Sequence, residues 1–289
     1  MNDAIQDAMP ELSRWIGRKR VIEDEIALTA VRRIAGMLDL PPEDFAVGTV
    51  LPPHWFGMFF ADIARQSQIG PDGHPDKGVF LPPIPLPRRR GAGRRVKIMG
   101  RLRAGHPARR IAEVAAIEPK SGRSGNIVVL TMRHTFEAEG KTIAVDEFDA
   151  IYREAVKPGE KTTSTQPAAA PGDPAWSESK TLTSPLVFRY SAVTWNAHRI
   201  HYDADYARSE EGYPNTVQNG GLTMQLMIDA ALCHTKRELL GFTARLSYPI
   251  SVGETVQFCG RAATDTGMSV WVANANGNLC GQTELELAP

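Results

Sequence analysis

Cysteine is scarce in this 289-residue chain, with Cys233, Cys259 and Cys280 making neither an even disulfide set nor a metal-type spacing. A disulfide scaffold and a thiolate metal centre are thereby excluded, and a reducing, cytoplasmic setting is expected. A net field is missing too. Lysine plus arginine number 33, as do aspartate plus glutamate, so nothing global draws the chain to nucleic acid or to an anionic membrane. No stretch approaches the ~20 apolar residues that would cross a bilayer. The start, Met1 to Asp7, carries early acids and lacks the apolar core of a signal peptide. What the chain does have is 42% hydrophobic residues, enough to fill one large core or two of ordinary size.

Glycine and proline punctuate it. Residues 14–24 predict an entering strand, and Ala27–Leu38 a helix with Val31, Ile34, Ala35 and Leu38 on one side, stopped by Pro41-Pro42. The apolar run 51–64 predicts a buried helix with prolines at its mouth. Residues 70–95, with prolines at 82, 83, 85 and 87, predict a rigid loop folded back over the body. Strands are expected near 96–103, 109–118, 125–138 and 141–153. Residues 156–177, rich in Pro, Ser, Thr and Ala, predict a linker that divides the chain into halves at 1–155 and 178–289. The second half repeats the order. A strand is expected at 181–189, a short helix within 194–210, a Gly-led helix at 220–235, and strands near 241–248, 254–264, 267–275 and 278–287. That order predicts an α+β class. Cys233 is expected to be buried on the Gly-led helix.

Chemistry concentrates in residues 189–228. Asn196 and His201 stand five apart, and Gly220-Gly221 lead directly into an apolar helical run. The first turn of a helix presents unpaired N–H groups and the positive end of the dipole. It is therefore a seat for a carbonyl oxygen that gains negative charge. His198 and His201 also offer a His-x-x-His pair, but no third ligand lies at a recognisable spacing, so no metal is expected. Arg88, Arg89, Arg90, Arg94 and Arg95 form the densest basic cluster, read either as a solvated face or as a phosphate-binding one. No aromatic interleaving accompanies it, so nucleic acid is not expected.

The stretch Thr194-Trp-Asn-Ala-His-Arg-Ile-His-Tyr-Asp203, with Gln218-Asn-Gly-Gly221 before its helix, resembles the MaoC-like hot-dog hydratases and dehydratases. Their signatures read Ser-Gly-Asp-x-Asn-Pro-x-His and Val-x-His-Gly. His201 then matches the catalytic His and Gly220 the oxyanion Gly, while Asn196 stands for the usual Asp and Asn219 for the second-signature His. His54-Trp55, the segment Gly70-Pro-Asp-Gly-His-Pro75 and Phe80-Leu-Pro-Pro-Ile-Pro-Leu-Pro87 are similar to a sub-branch with a dehydratase-type N-terminal half. That sub-branch acts on branched dicarboxylic acyl-CoA and includes the mesaconyl-C4-CoA, 3-methylfumaryl-CoA and itaconyl-CoA hydratases. The resemblance implies a double hot dog, two antiparallel sheets that each wrap a central helix and can pair into one. The N-terminal half would form the substrate and CoA pocket and the C-terminal half the catalytic site.

An amide cannot act as a general base. On this reading His201 transfers the proton alone, Asn196 places the water and Gly220 holds the thioester oxygen. Arg88 and Arg89 would meet CoA phosphates, and Arg65, Arg89 or Arg199 a distal carboxylate, with Asn219 near the substrate. No cofactor is implied beyond the CoA that the substrate carries. The expected partner is that acyl-CoA, with neither nucleic acid nor membrane, and self-association into a homo-oligomer stays open. Two rival readings stand beside the hydratase: a thioesterase, and a non-catalytic acyl-CoA-binding module.

Overall fold

The computed structural model describes residues 3–76, 80–122, 125–155 and 167–289. Its N-terminal elements are α1 (Asp3–Ser13), β1 (Lys19–Asp24), α2 (Leu28–Met37), β2 (Arg88–Ile98), β3 (Ala108–Gly122), β4 (Gly125–Ala138) and β5 (Lys141–Arg153). Then come β6 (Trp176–Thr181), α3 (Ser184–Val193), α4 (Ala204–Ser209), α5 (Gly220–Cys233), β7 (Leu239–Leu246), β8 (Thr255–Thr264), β9 (Gly267–Ala273) and β10 (Leu279–Leu287).

All ten strands join one antiparallel sheet in the order β1-β3-β4-β5-β2-β7-β10-β9-β8-β6. Numbered from its own start, each half runs 1-3-4-5-2 from outer edge to centre. The halves therefore share a topology that their side chains barely share, and they meet where β2 pairs with β7. Gly241 makes that seam feasible, since a β-carbon there would lie 2.7 Å from the Val96 carbonyl oxygen.

The element α5 is the centre of the second half. Leu222, Met224, Leu226, Met227, Ile228, Ala230 and Ala231 are all buried, so apolar residues surround the helix rather than forming one stripe. It packs on β8, β9 and β10. Cys233 departs from expectation, because it ends the last turn and is exposed. On the other face of β3–β5, Ile5 and Leu12 of α1 join Phe80, Ile84 and Leu86 of the proline segment over Val114, Val128 and Leu130. The proline run is thus a cover, and its side chains fill a second small core.

Four further sequence expectations need correction. Residues 51–64 form no helix but a single 3-10 turn, Trp55–Met58, because Pro52 and Pro53 remove donors and Phe60 adopts a positive φ of 61°. Residues 88–95 belong to β2 and not to the loop, which ends with Pro87, the last residue barred from pairing. Residues 184–189 are helix rather than strand, since the Thr183 hydroxyl caps Leu186 N–H and Pro185 fits the first turn. The entering strand begins only at Lys19, after α1, which the sequence reading did not anticipate. Of the expected linker, residues 156–166 lie outside the described ones. Its end is tied down, with Ala169 bridging Asn278 and β6 starting at Trp176.

Candidate active site

Residues 194–203 fold as an overhang held at both ends. The Asn196 N–H donates to Ser191 O at 2.8 Å, and Asp203 caps α4 through Tyr206 N–H. Asn196 is half-buried, and its Oδ1 accepts the His198 N–H at 3.0 Å. The carboxamide therefore shapes the turn that presents His198 while keeping a second lone pair and its NH2 group.

His201 ends the short turn Arg199–His201. Its Nδ1 lies 2.8 Å from the Val217 carbonyl oxygen, and a carbonyl can only accept, so Nδ1 carries the hydrogen. Nε2 is left with its lone pair, the tautomer a base requires. Burial pulls the imidazole down to about 4, against the opposing pull of that carbonyl. His201 is thus neutral at physiological pH. The Val217 N–H returns to Ile200 O, which binds this turn to the strand-like residues leading into α5.

Both glycines at the start of α5 are closely approached by side chains. A β-carbon on Gly220 would lie 2.5 Å from Leu246 Cδ1, and one on Gly221 would lie 2.3 Å from the Tyr190 hydroxyl. Burial raises the Tyr190 phenol to about 12, so it remains a hydroxyl beside the helix N-terminus. Asn219 occupies the N-cap position without capping. Its buried side chain instead exchanges hydrogen bonds with Ser191 Oγ at 3.2 and 3.5 Å and ties α3 to α5.

A cavity of about 1210 Å³ opens between the halves, and Asn196, His201, Asn219 and Gly220 are not among its lining residues. His198, Val217 and Tyr248 line it from the C-terminal half; Asp72, His74, Arg88, Arg89 and Tyr152 line it from the N-terminal half. Arg88 and Arg89 are thus both on the cavity wall. Arg88 lies 3.4 Å from Glu211, and Arg89 hydrogen-bonds the Tyr152 hydroxyl. The rest of the basic cluster is dispersed by the alternation of β2. Arg94 turns inward to the buried Asp146 at 3.1 Å, and Arg95 turns outward to Glu147 and Asp149.

Arg65 is exposed on a surface turn and does not line the cavity. Arg199 is held by Asp203 at 2.7 Å and by the Pro71 carbonyl at 3.0 Å, so it clamps the overhang instead of lining the cavity. His54 is buried under α5, with Nε2 at 2.8 Å from Asp229 and 2.7 Å from Gln225, a tie between the 3-10 turn and the central helix.

Sequence reasoning missed Asp72 and His74 as site residues. The Asp72 carboxylate accepts the His74 N–H at 2.9 Å and lies 3.0 Å from its Nδ1. The His74 ring packs at 4.2 Å on His198, whose ring in turn meets His201 edge-on at 5.5 Å. Burial lowers His74, and burial with its two neighbours lowers His198 far below the usual imidazole range. For Asp72 burial pulls upward, but the His74 ring and backbone donors outweigh it and hold the carboxyl well below the carboxylate range. Donor atoms of Asp72, His74 and His198 lie within 4.8 Å of one another. Within this group the Asp72 carboxylate is hydrogen-bonded to His74, and His198 joins it by ring packing. The segment Gly70-Pro-Asp-Gly-His-Pro75 already carried part of the family resemblance, but no role was read from its Asp72 and His74.

The sequence profile of the hydroxyacyl-thioester dehydratase type 2 family matches residues 54–252, which include the His54 turn, the Asp72–His74 loop and the overhang. A mesaconyl-C(4)-CoA hydratase of Chloroflexus aurantiacus is 40% identical over 237 residues, covering 82% of this chain and 84% of that protein. A MaoC-like dehydratase of Phytophthora capsici superposes with a TM-score of 0.71 over 97% of this chain and 98% of that one, at 13% identity. A Mycobacterium tuberculosis protein with a double hotdog fold superposes at 0.57 over 94% and 96%, also at 13% identity. The fold is a hot-dog fold, and the chain belongs to the hydroxyacyl-thioester dehydratase type 2 family.

Proposed function

We propose that the protein is an acyl-CoA hydratase/dehydratase that reversibly adds water across an α,β-unsaturated acyl-CoA thioester. The observation that carries this reading is His201, a half-buried neutral imidazole whose Nδ1–H is bound to the Val217 carbonyl, three residues before the Gly-led start of α5. Family membership says which chemistry to expect of that pair, and the Chloroflexus relative supports a short, branched dicarboxylic acyl group.

On this reading the thioester oxygen sits at the N-terminus of α5, where the Gly220 N–H draws electron density from the double bond. Water donates a proton to His201 Nε2 as its oxygen bonds C3. The imidazolium then returns that proton to C2, so the protein gains and loses nothing. Asn196 aims the water through the hydrogen-bonding capacity that His198 leaves unused. Tyr190, kept protonated beside Gly221, is a second polar group at the same helix end. Arg88 and Arg89 offer charge to CoA phosphates from the cavity wall. Arg89 is the one of the three candidate carboxylate partners that lines the cavity. Residues 1–155 thus act as the substrate half and 178–289 as the catalytic half, each sheet set covering its own helix.

Loss of enoyl-thioester absorbance, measured alongside release of free thiol, tests the assignment. Absorbance loss without thiol supports hydration. Thiol release would mean a thioesterase, and binding with neither signal a non-catalytic module.

A further inference from the structure

The site lacks the carboxylate that its own motif carries in related enzymes, because position 196 is an amide. A carboxylate nevertheless stands in the cluster, and it comes from the other half of the chain. We propose that the Asp72–His74 pair is a positioning element of the reaction centre, holding His198 and through it His201 at their working angles. This rests on the hydratase reading above and adds to it two residues and a second half.

Four features join residues 70–76 to the overhang. Gly73, at a φ of +90°, approaches so closely that a β-carbon would lie 1.9 Å from the Ala197 carbonyl oxygen. The Arg199 N–H donates to the Asp72 carbonyl at 2.9 Å, and its guanidinium donates to Pro71 O at 3.0 Å. The His74 ring rests on His198 at 4.2 Å. An exposed surface loop needs none of these ties, and here all of them fall within the six residues Ala197–Tyr202 and their partners.

The geometry also gives each group a direction. Asp72 can only accept, so it holds the hydrogen of His74 on Nδ1 and fixes that ring in one orientation. The fixed ring is one wall for His198, whose backbone N–H is fixed by Asn196. His198 is in turn the edge-on neighbour of His201. His201 is thus constrained from two sides, by the Val217 carbonyl and by this stack. A catalytic group displaced by about an ångström loses on the order of 10²-fold in rate, so such packing has kinetic weight. The charged and titratable groups facing the stack are Asp72, Arg89 and the three imidazoles themselves.

The test compares Asp72→Asn, His74→Gln and the double variant Asp72→Asn/Asn196→Asp with wild type in the full chain, using mesaconyl-C4-CoA and crotonyl-CoA. Both single variants should lower kcat by about 10- to 100-fold while KM and the melting temperature hold. The double variant should recover a large part of the Asp72→Asn loss, because a carboxylate at 196 stands beside the His198 backbone and can orient the same rings. Unchanged kcat in both single variants would overturn the proposal, as would losses that follow KM and melting alone. His74→Gln keeps side-chain volume and a donor toward Asp72, so its kcat decides if Asp72→Asn does not fold. Wild type inactive on every enoyl thioester would overturn the hydratase reading itself, a result distinct from active wild type with active variants.

Discussion

Gly73 and Ala197, 124 positions apart in the sequence, pack so tightly that a methyl group on the glycine would overlap the alanine carbonyl, with 1.9 Å between carbon and oxygen. The contact joins a loop of one half to the reaction overhang of the other. It brings the two halves together at the candidate site, although the Asn196–His201 spacing and the Gly pair lie wholly in the second.

Gly73→Ala should therefore injure activity more than its location suggests. The backbone there has a positive φ of 90°, and forcing a side chain into such a conformation costs about 1–3 kcal/mol even without the clash. The loop would lift from residues 196–201, and kcat should fall by about 10²-fold. Steady-state kinetics with a thermal melt checks this. Wild-type kcat with a normal melt would mean that the loop tolerates displacement.

The pH profile should be shifted toward acid. A base held at about 4 stays neutral far below the usual imidazole range, so the acid limb of kcat/KM for the free enzyme should lie near pH 4 and not near ~6.5. Asn196→Asp places a carboxylate beside the imidazoles and favours the charged form, so that limb should move to higher pH. Rates measured from pH 4.5 to 8 decide the matter, and a wild-type limb near 6.5 would contradict the burial argument.

Stability should follow the same groups. His74, His198, His201 and His134 all have folded-state proton affinities lowered chiefly by burial. Between about pH 6.5 and 4 the unfolded chain binds protons that the folded chain does not. Stability is then complete above that window and declines as pH falls through it. The melting temperature should drop steadily from pH 7 to 5, and His198→Asn should flatten the slope. An unchanged slope would show that His198 titrates normally in the fold.

Arg89→Ala should raise KM for the CoA thioester several-fold and change kcat little, as expected when an interaction is made equally in ground and transition states. The difference from wild type should narrow at high salt, where exposed phosphate contacts are screened. Its lining position and the Tyr152 hydrogen bond motivate this. An unchanged KM would return the arginine to the role of a solvated side chain.

Much of the fold was legible because the second half obeys local rules. The element α5 starts at a Gly pair and runs as one apolar block, and β7–β10 are separated by turns at Gly253 and Gly277 with positive φ. The register of the 1-3-4-5-2 halves was not legible, because it depends on cross-strand packing and not on any one segment. Residues 51–64 misled because an unbroken apolar run suggested a helix, whereas Pro52, Pro53 and the left-handed Phe60 confine it to one turn. In the candidate site, His201, Asn196 and Gly220 could be singled out in the sequence because their spacing is local. Asp72 and His74 were not, because their meaning arises only when two distant segments touch. The arginine cluster misled in a third way, since adjacent strand residues point to opposite faces and a sequence cluster need not be a patch.

The most direct test of the central claim is the turnover of His201→Ala on an α,β-unsaturated acyl-CoA, measured by loss of enoyl-thioester absorbance together with binding of the same thioester. The account predicts that kcat falls by about 10²–10⁴-fold while thioester affinity changes little, because the cavity wall and the α5 N-terminus remain. Hydration at a near-normal rate by His201→Ala would contradict it.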